Sequence, residues 1–346
     1  MTKNLSKSAS SKAVMQGLKD FQRRTVNFAF SRMFEAAQPA LRFLVADEVG
    51  LGKTLVAKGL IARTIERLQH EGKKRIDVIY VCSNADIAVQ NVARLMLPGQ
   101  AAFSKGTRLT LLPLMTSDLK EHPVNFISFT PGTTFSQANR TGRKEERKLI
   151  YQMLRGVDGI HERGLRNAMR GGAGDTWYDA ADEALEYDED IARMYRKRVS
   201  KDKALMAAID AVASRYRDRR HRITSDDEER CLALTGALRS ALAKTCLAAL
   251  QPDLVILDEF QRFGELLDDP EKNASAELAH ELFNYKADLR VLLLSATPYK
   301  MYASDDDSED HYKDFLRTLG FLMPRQPERV AKLEADIREF RTGLLD

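Results

Sequence analysis

The sequence predicts an α/β fold with a mostly parallel central sheet, interrupted by a large helical insertion. Three observations predict it. Residues 41–81 read as strand, glycine turn, helix and strand, a βαβ unit. Two later apolar runs, Leu254–Leu257 and Val291–Leu294, are too short for helices and unbroken by polar residues, as strands buried on both faces are. Between these regions, residues 136–249 carry apolar residues at helical spacing among charges.

Composition bounds the reading. The 346 residues suggest two domains at roughly 150 residues each, or one domain carrying an insertion. A hydrophobic share of 44% supports a core and excludes wholesale disorder. With 54 Lys and Arg against 50 Asp and Glu, the net charge is only +4, so any basic face must be local. Cys82, Cys231 and Cys246 form no CxxC pair and no disulfide framework, which points to a reducing, cytoplasmic setting. The strand-like apolar runs are far short of the ~18 residues of a membrane span, so no membrane partner is expected. The scattered histidines have no metal-ligand spacing.

Residues 1–14, rich in Ser and Lys, read as a disordered leader. An amphipathic pattern from Met15 to Ala37 reads as one or two helices ending before Pro39. Leu41–Val45 forms a buried strand, Thr54–Gln69 a helix, and Val78–Val81 and Phe126–Phe129 further strands. Within the insertion, 140–153, 180–199, 203–217 and 228–250 read as helices, and Gly171–Asp175 as a loop. Ser304–Asp310 reads as an acidic loop, followed by helices over 312–322 and 330–344.

Chemistry concentrates at the strand ends. Asp47-Glu48-Val49-Gly50-Leu51-Gly52-Lys53-Thr54 follows the first strand. Gly50 and Gly52 let backbone N–H groups curl around phosphate oxygens; Lys53 offers a charge to the β- and γ-phosphates, and Thr54 a hydroxyl to Mg2+. The strand Leu254–Leu257 runs into Asp258-Glu259-Phe260-Gln261, where Asp258 suits Mg2+ and Glu259 suits polarising an attacking water. Val291–Leu294 runs into Ser295-Ala296-Thr297-Pro298.

The segment ADEVGLGKT resembles motif I of superfamily-two helicases in the Swi/Snf-like, DEAD/DEAH-related branch, where an acidic residue replaces the first Gly of the common phosphate loop. Leu18-Lys19-Asp20-Phe21-Gln22 is similar to the element preceding motif I, which implies that Gln22 contacts adenine. DEFQ is similar to motif II, with Gln261 linking the ATP site to the nucleic-acid side, and SAT to motif III, with Ser295 and Thr297 coupling hydrolysis to movement. Cys82-Ser83-Asn84 and Thr130-Pro131-Gly132 match the positions of motifs Ia and Ib, so Ser83, Asn84, Thr130 and Gly132 are the implied backbone contacts to nucleic acid.

The resemblance implies a RecA-like P-loop lobe over 15–135 and 250–325, with 136–249 inserted and 326–346 a C-terminal helix leading toward a second lobe that would come in cis or trans. It implies ATP and Mg2+ as cofactors and nucleic acid as partner, duplex DNA ahead of RNA. The expected activity is ATP-dependent translocation or unwinding once the second lobe supplies its arginine fingers. The alternatives are a nucleotide- and nucleic-acid-binding module with negligible turnover, and a P-loop ATPase that takes no nucleic acid. Two Arg-rich runs, 193–198 and 215–222, suit a helical subdomain beside a DNA path, or else solvated helices salt-bridged to the acidic residues 187–190 and 226–229.

Overall fold

Strands with no polar alternation must be covered on both faces, and the sheet meets that requirement. In the computed structural model the described residues are 9–47, 50–97, 102–106, 108–134, 141–174, 176–218, 223–271, 274–296 and 305–345. The order along the chain is α1 (Ala9–Gln16), α2 (Asp20–Phe30), a π-helical turn (Ser31–Glu35), β1 (Arg42–Ala46), α3 (Lys53–His70), β2 (Ile76–Val81), α4 (Ala85–Leu95) and β3 (Ala102–Gly106). A 3-10 turn (Leu109–Leu114), α5 (Thr116–Glu121), β4 (Val124–Phe129) and α6 (Pro131–Thr134) follow. Then come α7 (Lys144–Leu154), α8 (Glu162–Ala168), α9 (Thr176–Asp182), α10 (Glu189–Lys201), α11 (Lys203–Arg215) and α12 (Ser225–Leu250). The chain ends with β5 (Leu254–Asp258), a 3-10 segment (Phe260–Leu267), α13 (Ala274–Phe283), β6 (Arg290–Ser295), α14 (Asp305–Leu322) and α15 (Pro327–Leu345).

The chain divides into two units, one of residues 1–106, 122–131 and 252–346, the other of 107–121 and 132–251. The first holds the sheet, ordered β1-β6-β5-β2-β4-β3, with every neighbouring pair parallel. On one face Ile76, Val78, Tyr80, Ile256, Leu292 and Leu294 pack with Val56, Leu60 and Ile61 of α3 and Val92 of α4. On the other, Ile79, Val81, Val255, Leu257 and Leu293 are equally buried. At the amino end of β1, Arg42 donates to the Phe321 carbonyl (2.6 Å) and to Asn284 Oδ1 (2.8 Å) and lies over the Phe321 ring, tying down the end of α14. Burial lowers the pKa of its guanidinium to about 10.

Sequence expectations are corrected at several places. The leader expected over 1–14 is helical from Ala9, because Val14 and Met15 pack on the core under α3; residues 1–8 lie outside the described residues. The acidic loop expected at 304–310 is helical from Asp305, the start of an 18-residue helix; Ser304 lies outside the described residues. The boundary at 135–136 moves, because residues 107–121 belong with the insertion. The Thr110 hydroxyl in that segment bonds to Glu146 of α7.

The second unit is helical. Leu149, Tyr151, Trp177, Tyr195, Leu238 and Cys246 form part of its buried interior. The helix expected over 180–199 is two, because α9 stops at Asp182 and Asp188 caps α10 through the N–H groups of Asp190 and Ile191. Two polar side chains organise the interior. Arg147 donates to the carbonyls of Thr141, Gly142, Met169 and Arg170, closing the expected loop at 171–174; Asp175 lies outside the described residues. Glu146, fully buried, accepts from the Arg143 N–H and from Arg239 (3.2 Å) and pairs with Arg108 (3.4 Å). The helix α12 is long and apolar enough to cross a membrane by length and composition, and 61% of its apolar window is buried inside the protein.

The basic runs are paired in part. Arg193 meets Asp190, Arg196 meets Glu189 and Arg215 meets Asp227, as the salt-bridged alternative expects of those three; residues 219–222 lie outside the described residues.

Two outcomes follow. A Cβ at Gly164 would lie 1.9 Å from the Ala213 carbonyl oxygen of α11, so Gly164→Ala should cost about 1–3 kcal/mol or more of stability in chemical denaturation. Burial opposes ionisation of Glu146, but the Arg143 N–H, Thr110 and the charges of Arg239 and Arg108 outweigh it and hold its pKa below the ordinary 4.5. Its stabilisation is therefore complete above pH 4.5 and lost as pH falls through the lower folded value. Glu146→Gln should lower stability at neutral pH and flatten this acid limb in a pH series of melts.

Candidate nucleotide-binding site

Three neighbouring strands end together. Ala46 of β1 pairs with Ser295 of β6, and Asp258 of β5 pairs with Leu294. The Asp47 N–H then donates to the Ser295 carbonyl (3.2 Å), so the loop after β1 starts against the end of β6. The carboxyl edge of a parallel sheet is where open α/β proteins bind ligands.

The loop after β1 is shaped by glycine. Gly50 and Gly52 have φ of +90° and +85°, in the left-handed region that side chains resist. Gly52 caps α3 and its carbonyl accepts from Leu55 and Val56, leaving the first N–H groups of the helix at the turn. Lys53 Nζ donates to the Asp47 carbonyl (2.9 Å), closing the turn on itself. Thr54, half-buried, is the second residue of α3. Glu48 and Val49 lie outside the described residues.

Gln22 is placed behind this loop. Its Nε2 donates to the Leu51 carbonyl (2.9 Å) and its Oε1 accepts from the Lys19 N–H (3.0 Å), and it is buried. Its amide therefore braces the turn and caps α2 at once.

Across the edge, Asp258 receives the Tyr80 hydroxyl, and Asn91 Nδ2 of α4 reaches both Tyr80 Oη (2.9 Å) and Asp258 Oδ2 (3.3 Å). Burial raises the Asp258 pKa above the ordinary value; the Tyr80 hydrogen bond opposes this, the Glu259 charge adds to it, and the Glu259 N–H and the Lys53 charge oppose it. Lys53 and Asp258 thus lie within electrostatic reach. Burial, and then the Asp258 charge, raise the pKa of the Tyr80 phenol.

Glu259 is held at φ +51°, a conformation that costs a non-glycine residue about 1–3 kcal/mol and recurs at functional sites. Its carboxylate pairs with Arg262 (2.8 Å). Gln261 is exposed on the 3-10 segment that follows. Ser295 is fully buried at the end of β6; Thr297 lies outside the described residues.

The nucleic-acid candidates follow β2 and β4, which pair in register to Val81 and Phe129, with the Cys82 N–H on the Phe129 carbonyl (3.2 Å). Ser83 and Asn84 are exposed, and Asn84 Oδ1 caps α4 through the Asp86 and Ile87 N–H groups, so that oxygen has a structural task. Thr130 follows β4. Gly132 lies in α6, where an added Cβ would meet nothing within 4 Å, so its own packing does not require a glycine.

Sequence reasoning missed Tyr80 and Asn91. The available signal was one phenol in an otherwise aliphatic strand end, Val78-Ile79-Tyr80-Val81. Together these residues define a parallel α/β protein with a glycine-shaped turn that carries a lysine and an acidic strand end at the same edge of the sheet. Among known proteins, no family model, no curated protein and no solved structure matches the chain.

A Cβ at Gly52 would lie 2.5 Å from Gln22 Nε2 at a φ that disfavours any side chain. Gly52→Ala should therefore destabilise by about 1–3 kcal/mol. Adding Gln22→Ala should relieve the clash but not the backbone strain, a partial recovery readable in a double-mutant cycle of denaturation midpoints.

Proposed function

We propose that this chain is the first, RecA-like motor lobe of an ATP-dependent DNA translocase or helicase of the superfamily-two, Swi/Snf-like kind, acting in the cytoplasm and completed by a second RecA-like lobe in cis or trans. The observation that carries the reading is the common ending of β1, β6 and β5, which brings the glycine turn after β1, the Ser295 strand end and Asp258 to one edge of the sheet.

The residues fit a nucleotide triphosphate with Mg2+. The N–H groups opening α3 and the Lys53 ammonium suit phosphate oxygens. Mg2+ is usually held by one or two carboxylates together with substrate phosphates, and Asp258 with the Thr54 hydroxyl offers that donor set. Bound there, Mg2+ would neutralise charge on the phosphates. Gln22 holds the turn in shape, and in this reading its amide also contacts adenine. Glu259 polarises water, and Gln261 and Ser295 relay the state of the site, with Thr297, toward Ser83, Asn84, Thr130 and Gly132 on the nucleic-acid side.

A second reading is a nucleotide- and nucleic-acid-binding module with negligible turnover. The ion pair between Glu259 and Arg262 favours it, because it engages the carboxylate that would polarise the attacking water.

Lys53→Ala should abolish ATP binding in titration calorimetry. Glu259→Gln should keep binding and remove DNA-stimulated hydrolysis. Equal nucleotide affinity for Lys53→Ala and the parent refutes the phosphate-loop assignment. Strong DNA stimulation of ATPase in the lone chain removes the second reading, and ATP hydrolysis without DNA or RNA binding would mark a P-loop ATPase of another class.

A further inference from the structure

We propose that Tyr80 and Asn91 are positioning residues that orient the Asp258 carboxylate for a divalent cation, holding it by Oδ2 and assigning Oδ1 to the metal. This rests on the reading of Asp258 as the Mg2+ ligand. The argument is one of donor count and rigidity. A phenol has one proton to give. Tyr80 Oη accepts from Asn91 Nδ2 (2.9 Å), so its own proton is turned to Asp258 Oδ2. The second contact from Asn91 to the same oxygen (3.3 Å) makes a three-membered network on one side of the carboxylate.

Both holders are anchored in regular structure. Tyr80 is 1% exposed, its ring locked among Val78, Ile256 and Val92 on the core face of β2. Asn91 lies on α4, whose start is pinned by the Asn84 cap and whose Ala88, Val92 and Leu95 sit in the same core. A carboxylate fixed from two elements has one orientation left, which is what a ligand to a geometrically demanding cation such as Mg2+ needs. A tyrosine kept only to fill the core would be served as well by Phe, and Asn91 would then have no reason to reach across to β5.

The test compares ATP binding by calorimetry for the full chain, Tyr80→Phe and Asn91→Ala over a range of Mg2+ concentrations and in EDTA. Asn91 is half-buried and Ala suits a helix, so this variant keeps the fold even if Tyr80→Phe does not; thermal melts check both. Each variant should need about 10-fold or more Mg2+ for half-maximal ATP affinity. Affinity in EDTA should match the parent. Folded variants with the parental Mg2+ profile overturn the positioning role while leaving the proposed function standing. Failure of the parent itself to bind ATP overturns the proposed function, and this inference with it.

Discussion

The register of β1 against β6 is the constraint on which the rest depends. The two strands are far apart in sequence, yet they pair residue for residue from Arg42 and Val291 to Ala46 and Ser295, and Asp47 extends the ladder by one hydrogen bond. Parallel neighbours cannot be joined by hairpins, so every strand in the sheet delivers its following loop to the same edge. A slip of one residue would turn Val45 and Leu294 out of the core cluster and move the lysine turn away from the acidic strand end. The apolar interior therefore sets the geometry of the polar edge.

The two ends of the sheet hold their carboxylates differently. At the amino edge, Asp253 is paired with Lys73 and Lys286 and accepts from the Asp77 N–H, while Asp77 is paired with Arg75 and accepts from Asn125. Those acids are neutralised by direct contact, as burial demands. At the carboxyl edge, among the described residues, Asp258 has no salt bridge; it is held by a phenol, an amide and the more distant charge of Lys53, itself bonded to a carbonyl. A half-buried carboxylate held by neutral donors differs from the direct ion pairing of the amino edge.

What was legible in the sequence followed from burial. β2, β4, β5 and β6 are dominated by Val, Ile, Leu and Phe because both of their faces are covered, and the expected strands fall inside the observed ones. The glycine turn was legible because left-handed backbone leaves few alternatives. β3 was not: Ala102-Phe103-Ser104-Lys105-Gly106 is an edge strand with one neighbour, and its composition carries neither an alternation nor an apolar run. The seven-residue α8 is too short for a helical period to stand out. Tyr80 and Asn91 escaped because their task depends on a strand formed nearly two hundred residues later, and no local pattern encodes a contact to Asp258.

The second unit extends the same logic to the inserted chain. Its Arg-rich composition suggested an anion-binding surface, but Arg193 and Arg196 meet acids of their own helix and Arg215 meets Asp227 at the start of α12. Surface pairs of this kind add little to stability, so they do not hold the unit together. The side chains that hold it are buried: Glu146 gathers Arg108, Arg239 and Thr110, and Arg147 satisfies four loop carbonyls. Removing one partner from such a network strands a buried charge, whereas removing an exposed arginine strands nothing. The described basic residues of this unit thus include buried ones that specify its fold and surface ones that meet a neighbouring acid, and runs of Arg in a sequence do not by themselves mark a binding face.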